Sequence, residues 1–235
     1  MQLLSLLALV TSAAASAIPA AAIERRQTCP NANANALASA KAAFTAAKIV
    51  PDVIPQFNPT LEVSVNYNGK AVNFGNTFNT VETLLEPDFS ITAEKGYDPK
   101  TTKYTLIMVD PDAPGPALPI LADFLHWIVS DVQPKCITNQ IRKQVASYMA
   151  PTPLSVSPHR YTFLIYRQPP NYVPPPSLQY LPANRALFDL AGYVEEAKLQ
   201  GPVGGNYYRE GQAQNVCLLL PGCTQDGTGY QPPQE

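Results

Sequence analysis

The chain has 235 residues, enough to bury a core in one large domain or two small ones. Its hydrophobic share of 46% excludes wholesale disorder, and 16 basic against 18 acidic residues leave no cationic excess to neutralise a nucleic-acid backbone. The 25 prolines argue against a helical bundle and for short strands joined by fixed turns.

Residues 1–17 read as a cleaved secretory signal. Leu3, Leu4, Leu6, Leu7, Leu9 and Val10 form the apolar run, and Ala15-Ser16-Ala17 offers the small-x-small cleavage pattern. The run is about ten residues long, half of the ~20 that a spanning helix needs. No later stretch is long and apolar enough to cross a membrane. The dibasic Arg25-Arg26 allows 18–26 to be a propeptide, with Gln27 as the first mature residue; an ordinary charged linker competes with this reading. Export to an oxidising compartment would pair Cys29, Cys136, Cys217 and Cys223 in two disulfides. Three pairings are open. Cys217 and Cys223 are close enough to close a small loop through Pro221-Gly222, which would leave Cys29 with Cys136. There is no Cys-x-x-Cys and no histidine near a cysteine, so no metal site is expected.

The segment 27–48 is an N-terminal helical region. Asn35 to Lys48 is alanine-rich without internal proline or glycine, Asn31, Asn33 and Asn35 are candidate caps, and Pro51 and Pro55 end it. Leu61, Val63, Val65 and Tyr67 alternate with polar residues as a half-buried strand, Asn68-Gly69 turns it, and Val72 and Phe74 return. Tyr104–Val109, His126–Val132 and Tyr161–Tyr166 are nearly continuous apolar runs, as in strands buried on both faces. Pro169–Pro182 is an irregular loop. Leu187, Leu190, Ala191 and Val194 recur at helical spacing, with Gly201 closing the helix, and Val216–Leu220 reads as a last short strand. Strand-like segments run through the whole middle, so the chain is one mainly β domain with a few peripheral helices.

Its two histidines are His126 and His159. Asp110 closes a central apolar strand, where an unpaired charge is costly, so it needs a partner and the histidines are the candidates. His126 reads as alternating into one face of its strand, and His159 precedes another. With Phe124, Tyr161 and the prolines of Pro151-Thr152-Pro153 nearby, three strand ends would form a small pocket whose imidazoles suit a phosphate-like anion. Asp112 has a competing role in stabilising its own turn. No serine or cysteine sits in a recognisable nucleophile elbow, so no catalysis is expected.

Asp110-Pro111-Asp112-Ala113-Pro114, Leu125-His126-Trp127 and His159-Arg160-Tyr161 together resemble the phosphatidylethanolamine-binding protein family. Val50–Pro55 and Leu61–Val65 resemble its opening segment, and Gly201–Tyr208 its closing one. The resemblance implies a single-domain antiparallel β-sandwich over 49–210, followed by a tail, 211–235. It implies a pocket for phosphate or phospholipid head groups lined by Asp110, Asp112, His126, His159 and Tyr161 and rimmed by Ala113, Pro114, Phe124 and Pro153. Arg160 would be a structural ion-pair residue, with Asp110 or Asp112 as its partner. Ser157-Pro158 stands where the family has Gly-x, so the loop carrying His159 is expected to be shaped differently. No cofactor is implied. The expected function is a secreted binding protein; inhibition of a serine carboxypeptidase or other peptidase is the alternative, with the tail from Gln225 and the proline-rich loop as exposed contacts.

Overall fold

The computed structural model describes residues 29–176 and 185–224. The signal and propeptide readings, the tail from Gln225 and the Pro182 end of the proline-rich loop lie outside them. Helix α1 (Ala34–Ala46) starts where the Asn33 side chain accepts the Asn35 N–H, and it buries Ala40 and Phe44. Lys48, at φ 57°, turns the chain into a short α2 (Ile49–Asp52). Strand β1 (Val63–Tyr67) points Val63, Val65 and Tyr67 inward. Asn68 and Gly69 both take positive φ, 48° and 92°, as a two-residue hairpin requires, and β2 (Lys70–Ala71) returns. Phe74 lies beyond the strand, in a turn at φ 41°.

Seven strands follow: β3 (Thr77–Phe78), β4 (Asp88–Ile91), β5 (Tyr104–Asp110), β6 (Phe124–Val132), β7 (Lys143–Ala146), β8 (His159–Arg167) and β9 (Gln200–Glu210). They form a six-stranded sheet, β3-β9-β8-β5-β6-β7, and, with β1 and β2, a three-stranded sheet, β2-β1-β4. All pairings are antiparallel except the two-residue β3–β9 contact. One core fills the space between the sheets, with Val63, Val65, Leu106, Met108, Trp127 and Phe163. A second covers the outer face of the large sheet, where Phe44 of α1 and Leu190 and Tyr193 of α3 (Leu190–Glu196) meet Ile107, Val109, Leu125 and Leu164. Every residue of β5 is therefore buried, which is why its sequence does not alternate.

Three expectations need correction. Val216–Leu220 is not a strand: Gln214–Cys217 forms a helical turn, α4, and Leu218 and Leu219 are exposed. The six-residue Cys217–Cys223 closure bends the chain back, so that Thr224, not the leucines, bridges to Ser155. The late helix begins at Leu190, because the Asp189 carboxylate accepts the Gly192 N–H, and Leu187 lies outside it. It ends before Lys198, which supplies the left-handed residue at φ 53°; Gly201 belongs to β9. That strand was not foreseen, since Gly201, Pro202, Gly204 and Gly205 weaken any strand pattern. Packing explains two of them: a Cβ on Gly205 would lie 2.6 Å from Phe44 Cζ and 2.8 Å from Phe163 O, and a Cβ on Gly204 would lie 2.9 Å from Leu61 O. The disulfides are Cys29–Cys136 and Cys217–Cys223.

Candidate functional site

Antiparallel pairing brings the last residue of β5, the first of β6 and the first of β8 to the same end of the large sheet. Asp110 faces Phe124 across one ladder, and Val109 faces Thr162 across the other. They enclose a cavity of about 130 Å³, lined by Asp110, Ala113, Pro114, Phe124, His126, His159 and Tyr161 of the predicted set, and by Leu121, Thr152 and Leu154. Asp112 and Pro153 do not line it. The space is small, of the size of a phosphate group.

His126 does not follow the alternation its sequence suggests. Met108 pairs with Trp127 and Val109 with Leu125, so His126 is the extra residue of a β-bulge, a device that re-aims a side chain at a sheet rim. Its Nδ1 lies 2.7 Å from the Met149 carbonyl, so Nδ1 carries the proton and donates. Among the described residues, Nε2 has no partner. Burial lowers the pKa of His126; the Asp110 carboxylate and the Met149 carbonyl oppose this, and Arg185 and His159 add to it. The ring is 3% exposed and therefore neutral near pH 7.

Arg185 had no signal in the sequence. It is 4% exposed and wraps the bulge, donating to the carbonyls of Leu125 (3.1 Å), His126 (2.9 Å) and Ser147 (2.8 Å). No carboxylate pairs with it among the described residues. A guanidinium stays charged even when burial lowers its pKa, so a fixed positive charge stands behind His126.

His159 Nδ1 donates to Asp110 Oδ2 at 2.8 Å, which gives Asp110 the partner its burial demands. His159 Nε2 lies 3.2 Å from Ser155 Oγ, whose hydroxyl donates to the Ser157 carbonyl at 2.6 Å. Ser155, His159 and Asp110 thus stand in the order of a Ser-His-Asp triad. Ser155, however, is fully buried and does not line the cavity, so a substrate carbonyl has no route to it. Burial and the Asp110 charge raise Tyr161 well above the usual phenol range, so its hydroxyl remains a donor. Tyr161 meets the His126 ring edge-on at 5.2 Å and stacks on Tyr208.

Strand alternation puts Arg160 on the opposite face from His159. Its backbone N–H and Nε donate to Asp112 Oδ2 at 2.8 and 2.9 Å, and one Nη to Asp112 Oδ1 at 2.8 Å. The other Nη donates to Asp52 and to the Ala47 carbonyl, tying β8 to α1 and α2. Of the two partners foreseen for Arg160, the structure selects Asp112. Two further acids border the site. Asp123 is pushed up to about 7, by burial first and then by the Asp110 charge. Glu210, paired with His159 across β8–β9, is also pushed up to about 7 by burial; Thr83 donates to one oxygen and the other has no partner. A wider cleft of about 690 Å³ lies at the other end of the strands, but Asp131 answers Lys103 and Lys143 there, and Glu94 answers Arg167.

Among curated proteins, the chain is 34% identical over 163 residues to CEN-like protein 1 of Nicotiana tabacum, covering 69% of this chain and 87% of that one. It is 33% identical over 161 residues to Protein TERMINAL FLOWER 1 of Arabidopsis thaliana, covering 68% and 85%. Among solved structures, a carboxypeptidase Y inhibitor complexed with its cognate proteinase superposes at TM-score 0.61 with 24% identity over 75% of this chain and 97% of that one. A phosphatidylethanolamine-binding protein from Plasmodium vivax superposes at 0.62 with 22% identity, over 73% and 97%. The model of the family described as phosphatidylethanolamine-binding protein matches residues 66–208, and the chain belongs to that family.

Proposed function

We propose that the protein binds a phosphate-type anion, free or as a phospholipid head group, in the cavity between β5, β6 and β8, without catalysing a reaction. The observation that carries this is the bulge at His126: one imidazole faces a phosphate-sized space, backed by a buried arginine that no carboxylate among the described residues neutralises. A protonated His126 is the ligand donor, and the Tyr161 hydroxyl is held by the Asp110 carboxylate. His159 is held by Asp110 through Nδ1, and its Nε2 lies against Ser155, so it positions the wall and does not grip the ligand. The inaccessible Ser155 supports binding over acyl transfer. Two disulfides support an oxidising compartment, and with the apolar N-terminal run they support export. Thermal-shift titration with phosphate, phosphoethanolamine and phosphoserine tests the reading. A saturable shift that His126→Ala removes is expected; a shift that persists in the variant, or none with any anion, overturns it. Peptidase inhibition is the second reading, favoured by the fold shared with a structurally known inhibitor. Inhibition of a serine carboxypeptidase by the His126→Ala variant as strongly as by wild type would give that reading first place and separate it from the cavity.

A further inference from the structure

The β5–β6 ladder is irregular at both ends. Far from the bulge at His126, Tyr104 pairs with Val132 and Leu106 with Val129, so Ser130 and Asp131 together oppose Thr105. Asp131 takes φ 58°, a left-handed conformation that few residues besides glycine adopt. This second bulge aims its carboxylate into the cleft of about 690 Å³ at that end of the strands. The carboxylate is nearly buried and fixed in place, with Lys143 Nζ at 2.9 Å from one oxygen and Lys103 Nζ at 3.4 Å from the other. Gln168, its amide oriented to satisfy both ends, accepts the Asp131 N–H at 3.0 Å and donates to Oδ1 at 3.3 Å. On the same cleft Arg167 donates to Glu94 at 2.9 Å and to Gln200 Oε1 at 2.8 Å, and its guanidinium lies over the Tyr97 ring, 3.8 Å from the centroid. Tyr97 is still 44% exposed. Asn171, at φ 60°, also borders the cleft; it is exposed, and its side chain has no hydrogen-bond partner among the described residues.

We propose that this cleft binds a neutral glycan, at a site separate from the anion cavity. All of its lining residues except Pro169 and Pro170 carry a hydrogen-bonding side chain, which argues against an apolar ligand. Its cations already face carboxylates: Lys103 and Lys143 share Asp131, and Arg167 holds Glu94. An anion therefore finds little uncompensated charge. What the cleft holds in excess is donors and acceptors side by side. An ammonium has three N–H donors and a carboxylate about four acceptor sites, and the ion pairs use only part of them. A sugar hydroxyl donates and accepts at once, so it can bridge Asp131 and a lysine. The C–H face of a sugar ring needs a flat apolar surface, and Tyr97, stiffened by Arg167, supplies one. The volume falls in the ~300–1,000 Å³ range of small-molecule sites, room for a short oligosaccharide. Because the polar groups are already held by one another, little ordering remains to be done on binding.

The test is saturation-transfer NMR of the full chain with cellotetraose, laminaritetraose, chitotetraose and mannotetraose, and with trigalacturonate as the acidic comparison. At least one neutral sugar is expected to bind saturably, with the strongest transfer to its ring C–H protons. Tyr97→Ala should weaken that binding about tenfold, and Tyr97→Phe, which keeps the stacking face, should bind as wild type does. Lys143→Ala should weaken it about threefold through the lost hydrogen bond. Unchanged urea midpoints in the variants show that they are folded; where Tyr97→Ala lowers the midpoint, Tyr97→Phe against Lys143→Ala carries the comparison. Saturation of none of the neutral sugars overturns the proposal, as does binding that Tyr97→Ala and Lys143→Ala leave intact. Binding of trigalacturonate alone, abolished at about 0.5 M salt, overturns it too and assigns the cleft to an anion. None of these readouts involves the anion cavity, so the failure of either reading leaves the other standing.

Discussion

Anion binding at this site should take up a proton. Because His126 Nδ1 donates to Met149, the neutral ring can offer only a lone pair at Nε2, and a lone pair repels an anion. Burial holds the His126 pKa below its ordinary value of ~6.5, so the ring is neutral above that pH until the ligand draws a proton onto it. The association constant of an anion whose own charge is fixed should then fall as pH rises above ~6.5, by up to about tenfold, or ~1.4 kcal/mol, per pH unit. Sulfate and a phosphodiester are suitable ligands, since neither titrates in this span. Calorimetry in buffers of different ionisation heat counts the protons directly, and uptake of about one is expected.

The groups around the ring matter to this count. Asp110 on β5, His159 and Tyr161 on β8, and Arg185 face it, and Asp123 and Glu210, both pushed up to about 7, titrate over the same span. Glu210→Gln/Asp123→Asn removes those two and should leave the slope; His126→Gln should abolish it. A slope of zero in wild type, or one that disappears with Glu210→Gln/Asp123→Asn, would refute the assignment of the proton to His126. The same depressed pKa has a cost without ligand. A histidine whose folded pKa lies below its unfolded one destabilises the fold as pH drops below ~6.5 and is neutral to stability above it.

Glu210 has the opposite linkage. Raised from 4.5 to about 7, its stabilising contribution is full below ~4.5 and lost as pH rises through ~7, so Glu210→Gln should stabilise by up to about 3 kcal/mol at pH ~8 and negligibly at pH ~4. Equal melting shifts at both pH values would contradict the burial argument. Arg160→Ala should cost about 3 kcal/mol in urea unfolding, because it strands the carboxylate of Asp112, which is 4% exposed; Arg160→Ala/Asp112→Ala should recover most of that loss. An unchanged midpoint in the single variant would remove the ion pair from the account of the fold. Opening Cys29–Cys136, which closes 107 residues, should cost about 5 kcal/mol, and opening Cys217–Cys223, which closes 6, about 2 kcal/mol; calorimetry of the two serine-pair variants checks the order.

The central strands were legible because burial on both faces leaves no alternation to misread. Tyr104–Val109 and Tyr161–Tyr166 could hardly be anything but inner strands of a covered sheet. The hairpin at Asn68-Gly69 was legible because few residues tolerate two successive positive φ values. β9 was not, because its Gly204 and Gly205 answer to Leu61 and to Phe44 of α1, neighbours that no local pattern names. α4 was misread because an apolar run takes its conformation from what it can pair with, and the Cys217–Cys223 loop turns these leucines away from the sheets.

At the site, the same distinction separates the residues that carry motifs from the ones that set their chemistry. Asp110, His126, His159 and Tyr161 could be placed near one another from strand ends alone, since antiparallel neighbours must bring those ends together. What each imidazole does depends on its second nitrogen. One faces Met149, from the segment after β7, and the other faces Ser155, in a loop stapled to the C-terminal disulfide loop through Thr224. Arg185 is more remote still, because a guanidinium held by backbone carbonyls and the Ser147 hydroxyl, with no carboxylate among the described residues, leaves no charge pattern in sequence. The consequence is a division of labour. Arg185 supplies a positive charge that no accessible pH removes, and His126 supplies a donor only when it is protonated. The strength of anion binding should therefore follow Arg185, and its dependence on pH should follow His126.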